Sequence, residues 1–158
     1  MEQHTWMEEA LAEAAAAAAI GEVPVGAVVV CEGRIIGRGH NRCEIDHDPT
    51  AHAEMLALRA ACAEIGDWRL EGCSLYVTLE PCPMCMGACL NARIARVVYG
   101  ASEPKAGACG SVVDLRSPPG FNHRLEVCGG IGAEASAAML KDFFRALRRK
   151  RQAPAEPG

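Results

Sequence analysis

The stretch VGAVVVCEGRIIGRGHN, residues 25–41, decides the fold. Two runs rich in Val and Ile lie on either side of Glu32-Gly33. Val and Ile favour strands, and a polar residue followed by glycine between two such runs is typical of a tight hairpin turn. The stretch therefore predicts two adjacent antiparallel strands.

Helices are predicted on both sides of this hairpin. Upstream, Thr5 and Glu8 form a capping box for a helix that ends at Gly21, with an apolar stripe of Met7, Leu11, Ala14 and Ala18. Downstream, residues 50–66 predict a second helix with Thr50 as its N-cap and a glycine as its stop.

The chain then alternates between strands and helices. Buried strands are predicted at residues 73–80, 96–100 and 124–128. A helix is predicted from Pro83 to about Ala92, because proline is well tolerated in the first helical turn.

The remaining segments complete the predicted fold. Residues 101–120 are rich in Gly, Pro and Ser and predict a loop with a short helical turn. A last helix is predicted from Ala133 to about Arg149, with an apolar stripe of Ala135, Met139, Phe143 and Leu147. A hairpin followed by β-α-β alternation implies a three-layer α/β/α fold, in which a mixed five-stranded sheet is flanked by helices.

Length and composition fit one domain. The chain has 158 residues, half of them hydrophobic, which is enough to bury a core without disulfides. We expect a single domain at residues 1–151 and a disordered tail at residues 152–158.

The cysteines and the apolar runs indicate a cytoplasmic protein. The nine cysteines are an odd number, and the acidic N-terminus does not resemble a signal peptide, so reduced thiols are expected. No apolar run approaches the roughly 20 residues of a membrane span.

Charge is unevenly distributed along the chain. A net charge of −4 argues weakly against a nucleic-acid partner, yet residues 141–151 contain six basic residues and one acid. This segment is either a docking site for a polyanion or a solvated helix end whose cations oppose the helix dipole.

A metal site is predicted from three residues. Cys82 and Cys85 lie at a helix N-terminus, where the pKa of a thiol is lowered, and thiolate is the form that binds metal. His52 lies at the start of the preceding helix, and the neighbourhood lacks the second C-x-x-C of a closed structural zinc site. Three protein ligands leave one position open for water, as in catalytic zinc sites. The alternative is a core histidine beside an unrelated cysteine pair.

Glu54 is the candidate catalytic residue. It lies two positions beyond His52, close enough to reach a zinc-bound water and take its proton without being a ligand itself. Cys89 could reach the same helix face as Cys85, but a third thiolate would close the site, so we expect Cys89 to pack in the core. H-x-E followed by P-C-x-x-C matches the known signature of zinc nucleobase deaminases, in which the glutamate also returns protons to the ring nitrogen and to the departing amine of the base.

The chain also resembles a family, the bacterial tRNA-specific adenosine deaminases of the TadA type. The resemblance spans about residues 6–149 and rests on EVPVGAVVV, DPTAHAEMLALR, LYVTLEPCPMCMGA, RIARVVYGA, KAGACGS, NHRLEV and DFFR. It implies a cytidine-deaminase-like fold, one Zn²⁺ per subunit, and a homodimer whose interface helps to shape each active site. It also implies hydrolytic conversion of the wobble adenosine of a tRNA anticodon to inosine.

The resemblance assigns further residues to the substrate. Asn41 would hydrogen-bond the target nucleoside, although it could instead be a turn residue at a strand end. The pocket would be lined by Val25, Leu79 and Glu80. Flanking nucleotides or phosphates would be met by Lys105, Phe144, Arg145 and Arg148, although Phe144 could equally pack against the partner subunit.

Two rival functions and one departure remain. The enzyme could act on a small molecule, guanine or a cytosine nucleoside or nucleotide, or the chain could be an RNA-binding module whose structural zinc site is completed by Cys89. Glu103 stands where the family usually has aspartate, which keeps the charge but lengthens the side chain near the expected nucleic-acid backbone.

Overall fold

The structure, a computed structural model, describes residues 2–152. It contains five helices, α1 (Glu2–Ala19), α2 (Cys43–Asp46), α3 (Ala53–Ile65), α4 (Pro83–Asn91) and α5 (Ala133–Gln152). The strands are β1 (Gly26–Cys31), β2 (Arg34–His40), β3 (Ser74–Leu79), β4 (Arg96–Ala101) and β5 (Glu126–Cys128). No helix within this part of the chain is both long enough and apolar enough to cross a membrane.

The five strands form one mixed sheet in the order β2-β1-β3-β4-β5. β1 pairs antiparallel with β2 and β3, whereas the pairs β3/β4 and β4/β5 are parallel. Helices α3 and α4 pack on one face, and α1 and α5 pack on the other. The predicted three-layer α/β/α fold is therefore confirmed.

The predicted hairpin is present between β1 and β2. Glu32 and Gly33 both have positive φ, 50° and 75°, as the central residues of a type I′ turn require. The register shifts between Val29 and Val30, whose partners are Gly37 and Ile35, so Ile36 is the extra residue of a bulge in β2.

Alternating side chains of the central strands fill two cores. Ala27, Val29, Leu75 and Val77 face α3 and α4, and the residues between them face α1. β2 carries Gly39 directly under α3, where a Cβ would collide with the backbone of Ala53 and Ala57. This close approach fixes the first turn of α3 against the sheet.

The starts of the first two predicted helices are wrong. Thr5 lies inside α1, which begins at Glu2. Thr50 donates its backbone N–H and its hydroxyl to Asp48 Oδ1, at 2.8 and 2.7 Å, and His52 is the N-cap of α3. Thr50 therefore belongs to a local turn closed by Asp48, and the helix starts after it.

Two apolar stripes are displaced from their predicted positions. In α1 the fully buried residues are Met7, Ala10, Ala14 and Ala17, so Ala18 is exposed and Leu11 only partly buried. In α5, Ala135 is exposed and Ser136 is buried, because the Ser136 hydroxyl donates to the Thr78 carbonyl oxygen at 2.5 Å.

The C-terminal third shows three further differences. β5 is a three-residue strand at the sheet edge and is only partly buried. The predicted helical turn in the loop is a single turn. It is closed by the Gly107 N–H, which donates to the Glu103 carbonyl oxygen at 2.9 Å. α5 continues to Gln152, and the rest of the predicted tail lies outside the described residues.

Candidate active site

Two helix N-termini meet beside the C-terminal end of β3. His52 is the N-cap of α3 and Cys82 is the N-cap of α4, and neither side chain forms a capping hydrogen bond. Both side chains are therefore available for another role, in the positive field of the helix ends.

His52, Cys82 and Cys85 form a compact group. His52 Nδ1 lies 3.6 Å from each sulfur, and the three donor atoms all lie within 4.8 Å of one another. In tetrahedral zinc sites, bonds of about 2.3 Å to sulfur and about 2.0 Å to nitrogen separate neighbouring donor atoms by about 3.5–3.8 Å. One imidazole and two thiols at this spacing fit zinc.

The electrostatics of the group favour a cation. A hydrogen bond from the Cys85 thiol lowers the pKa of Cys82 to about 4 despite burial, and His52 acts in the same direction. The neighbouring Cys82 sulfur, together with burial, raises the pKa of Cys85. The pKa of His52 is raised by its hydrogen bond to Cys82, against burial, and by the nearby Glu54 carboxyl.

Glu54 lies beside this group in the first turn of α3. Its side chain is only 4% exposed and lines the same cavity as His52 and Cys82. Burial raises the pKa of Glu54. A carboxyl group with a raised pKa can both accept and donate a proton near neutral pH.

Cys89 is fully buried and packs in the core under α4. Within residues 2–152, the group of possible metal ligands consists of His52, Cys82 and Cys85 and does not include Cys89. This position fits the expected role of Cys89 in core packing. It does not fit a closed zinc site in which Cys89 is the fourth ligand.

A cavity of about 220 Å³ opens over Glu54. Four residues assigned to the substrate by resemblance, Val25, Asn41, Leu79 and Glu80, line it. The Asn41 amide oxygen accepts from the Cys43 thiol at 3.2 Å, and the Asn41 N–H donates to the Val25 carbonyl oxygen at 3.1 Å. Asn41 is thus both a residue at the end of β2 and part of the cavity wall.

Glu80 lines this cavity, but its carboxylate is engaged by other residues. Its carboxylate accepts from the backbone N–H groups of Glu103, Cys109 and Ser111 at 3.0, 2.9 and 3.2 Å, and from the Ser111 hydroxyl. Burial opposes ionisation, yet these hydrogen bonds hold the pKa of Glu80 below its usual value. Its contacts are with the loop after β4.

The four residues assigned to flanking RNA lie outside the cavity. Lys105 is exposed on the loop that supplies Glu103 and Ala106 to the cavity wall. Phe144, Arg145 and Arg148 are exposed on α5, and the Phe144 ring contacts Phe143 edge to face at 5.4 Å. These exposed residues thus lie on two different elements, the loop after β4 and α5, and none of them belongs to the metal group.

Further lining residues were not assigned from the sequence. Val23, Cys43 and Ala106 also line the cavity. Val23 belongs to the EVPVGAVVV segment that carries the family resemblance, so its place in the cavity could have been predicted from the sequence. Cys43 begins α2, a four-residue helix too short to produce an apolar period.

Comparisons with known proteins agree with this geometry. The model of the MafB19-like deaminase family matches residues 1–148. A tRNA-specific adenosine deaminase from Bacillus subtilis is 50% identical over 148 residues, which cover 94% of this chain and 92% of that protein. A tRNA(Ile)-lysidine synthase from Deinococcus deserti is 56% identical over 148 residues, covering 93% of this chain but only 28% of that protein.

A solved structure shows the same fold. It comes from a study of A-to-I editing by tRNA:A34 deaminases at the wobble position of transfer RNA. Its TM-score is 0.83 at 48% identity, and the match covers 86% of this chain and 99% of that one. This confirms the cytidine-deaminase-like fold implied by the resemblance. The chain belongs to the MafB19-like deaminase family and, within it, to the tRNA-specific adenosine deaminases.

Proposed function

We propose that this protein hydrolyses the wobble adenosine of a tRNA anticodon to inosine, releasing ammonia. The observation that supports this most directly is the His52, Cys82 and Cys85 group with buried Glu54 beside it, at the floor of a cavity. The reaction consumes one water, whose oxygen becomes the carbonyl oxygen of inosine, and expels the amino group.

His52, Cys82 and Cys85 would hold one Zn²⁺ per subunit. When bound there, zinc supplies a Lewis acid that lowers the pKa of water. Glu54 accepts the proton of the attacking water, then donates protons to the ring nitrogen and to the departing amine. Its raised pKa suits both directions of transfer.

The cavity wall fits a single extruded base. Val25 and Leu79 offer apolar surface, and the Asn41 side chain offers a polar contact for the nucleoside. Anticodon loops suit such a cavity because their bases are already unpaired, so little free energy is needed to splay one out.

Residues outside the cavity would bind the rest of the anticodon stem-loop. Lys105 lies on the loop after β4, and Arg145 and Arg148 are exposed cations on α5 that would meet phosphates. Phe144 is 41% exposed, which leaves a ring face for stacking on a base.

A homodimer is supported by an apolar groove across α3 and α4. It is lined by Met55, Leu58, Trp68, Ala88 and Ala92, among others. Because α3 and α4 also hold the metal ligands, a partner subunit on this face would lie close to the active site. We place the enzyme in the cytoplasm, where free thiols such as its nine cysteines are stable.

The test compares RNA with free substrates. An anticodon stem-loop with adenosine at the wobble position is incubated with the zinc-loaded protein, in parallel with free adenosine, cytidine and guanine. Inosine in the RNA alone is expected. Consumption of a free base with an unchanged stem-loop would instead support the small-molecule alternative.

A Glu54→Ala variant tests the chemistry itself. It should keep zinc and RNA binding but lose at least about a hundredfold in ammonia release, because the proton carrier is absent. Undiminished ammonia release by a zinc-loaded Glu54→Ala variant would disprove the role given to Glu54.

A further inference from the structure

Two buried carboxylates flank the cavity without belonging to the metal group. Glu22 is 1% exposed and Glu80 is 3% exposed. Burying a carboxylate is costly unless hydrogen bonds compensate, so the donors that each one meets indicate its role.

Glu22 meets the start of α2. Its two carboxylate oxygens accept from the backbone N–H groups of Ile45 at 2.9 Å and Glu44 at 3.4 Å. The first N–H groups of a helix have no partner within the helix, and α2 has no N-cap side chain of its own. Glu22 supplies that cap from more than twenty positions away and holds the segment that contains Cys43 against the cavity.

Glu80 meets the opposite wall. It accepts four hydrogen bonds from Glu103, Cys109 and Ser111, as described above. The loop also lies so close that a Cβ on Gly107 would collide with the Glu80 carboxylate. The loop that places Glu103 and Ala106 in the cavity wall is therefore wrapped around this one side chain.

We infer that Glu22 and Glu80 are positioning residues that hold the two facing walls of the cavity in their binding conformation, and that neither contacts the substrate. This rests on the proposed function for the identity of the substrate. Walls that are already ordered in the free protein save the entropy cost of ordering them when the substrate binds. Loosening the walls should therefore weaken substrate binding and leave the proton transfer by Glu54 intact.

Hydrogen–deuterium exchange tests the inference without any substrate. In Glu80→Gln, an amide NH₂ replaces one acceptor oxygen, so some of the backbone N–H groups lose their hydrogen bond. The amide hydrogens of peptides covering residues 103–111 should therefore exchange about tenfold faster. In Glu22→Gln, the same acceleration should be confined to residues 42–46. Ser136→Ala is the matched control, since it removes a buried hydrogen bond on the far side of the sheet. It should accelerate neither segment.

Kinetics with the stem-loop give the second readout. Each Gln variant should raise KM about five- to tenfold, with kcat within about twofold and zinc content unchanged. Ser136→Ala should change neither constant. If a Gln variant does not fold, Ser111→Ala replaces Glu80→Gln and Glu22→Asp replaces Glu22→Gln, with the same segments affected to a smaller degree.

Two results would overturn the inference. One is unchanged exchange in both segments, and the other is accelerated exchange with KM unaltered. If the wild-type protein does not act on the stem-loop, the proposed function fails by itself. The exchange measurement still decides whether the two carboxylates hold the walls.

Discussion

Cys85 and Cys89 lie one helical turn apart on α4, yet their surroundings differ. Cys85 lies with His52 and Cys82, whereas Cys89 is enclosed by the core between α4 and the sheet. Because a buried sulfur removed from a core leaves a small cavity, Cys89→Ala should lower the free energy of unfolding by about 1–2 kcal/mol. Cys85→Ala should instead lose zinc.

Zinc content per subunit and chemical denaturation measure the two effects. Cys89→Ala is expected to retain full zinc, and Cys85→Ala to retain less than a tenth of it after dialysis. Loss of zinc from Cys89→Ala would mean that the site has a fourth protein ligand, and the catalytic interpretation would then be wrong.

The metal ligands could be predicted because their signal is local. Cys82 and Cys85 are three positions apart, which places both on one side of a helix, and His52 and Glu54 lie within one helical turn of each other. The role of Glu80 was not accessible in this way. Its donors come from 23 to 31 positions further along the chain, through a loop with no periodic pattern.

At the scale of elements, β2 and α3 approach each other through glycine. A Cβ on Gly39 would collide with the backbone of α3, so Gly39→Ala must push the helix away from the sheet. We expect the free energy of unfolding to fall by about 1–3 kcal/mol. Gly87→Ala on α4 is the control, because a Cβ there has nothing within 4 Å.

Chemical denaturation measures the free energy of unfolding of the two alanine variants. Gly87→Ala should be neutral or stabilising by up to about 1 kcal/mol, since alanine favours helix over glycine. Equal stability of both variants would mean that the contact between β2 and α3 is loose.

Helix α5 carries six of the sixteen Lys and Arg residues of the chain. Arg148→Ala should reduce the slope of log Kd against log salt concentration by about 1, because one phosphate contact and its counterion release are lost. The matched control is Arg34→Ala, an exposed cation near the hairpin turn paired with Glu64 at 3.6 Å. Binding of the anticodon stem-loop measured from low to moderate salt is the assay, and an unchanged slope for Arg148→Ala would remove α5 from the interface.

The elements themselves were predicted better than their ends. Runs of apolar residues indicated β1 and β3, and turn residues such as Gly33 and Gly66 marked where β1 and α3 end, because these signals lie within a few positions. Helix starts depended on which of several hydrogen-bond partners a side chain takes. The Thr50 hydroxyl, for example, donates to Asp48 and does not cap α3. The edge strand β5 pairs with β4 over three residues only, fewer than the five residues predicted from the sequence.

At the scale of the whole molecule, the sheet separates two surfaces with different tasks. Helices α3 and α4 present the apolar groove and the metal group, while α5 on the other face presents the basic residues. An RNA that reaches both α5 and the cavity must therefore extend beyond one face of the sheet. A partner subunit on the α3/α4 face would leave α5 free for that path.

The apolar groove therefore predicts the oligomeric state. Met55→Glu places a carboxylate in the groove between α3 and α4, where burying it against a partner would be unfavourable, so the variant should be monomeric at concentrations at which the wild type is a dimer. Ala12→Glu, on the exposed side of α1 across the sheet, should remain dimeric. Sedimentation equilibrium of the three proteins gives the masses. A dimeric Met55→Glu variant would locate the interface elsewhere, and a wild type that is monomeric throughout would require each cavity to be complete within one chain.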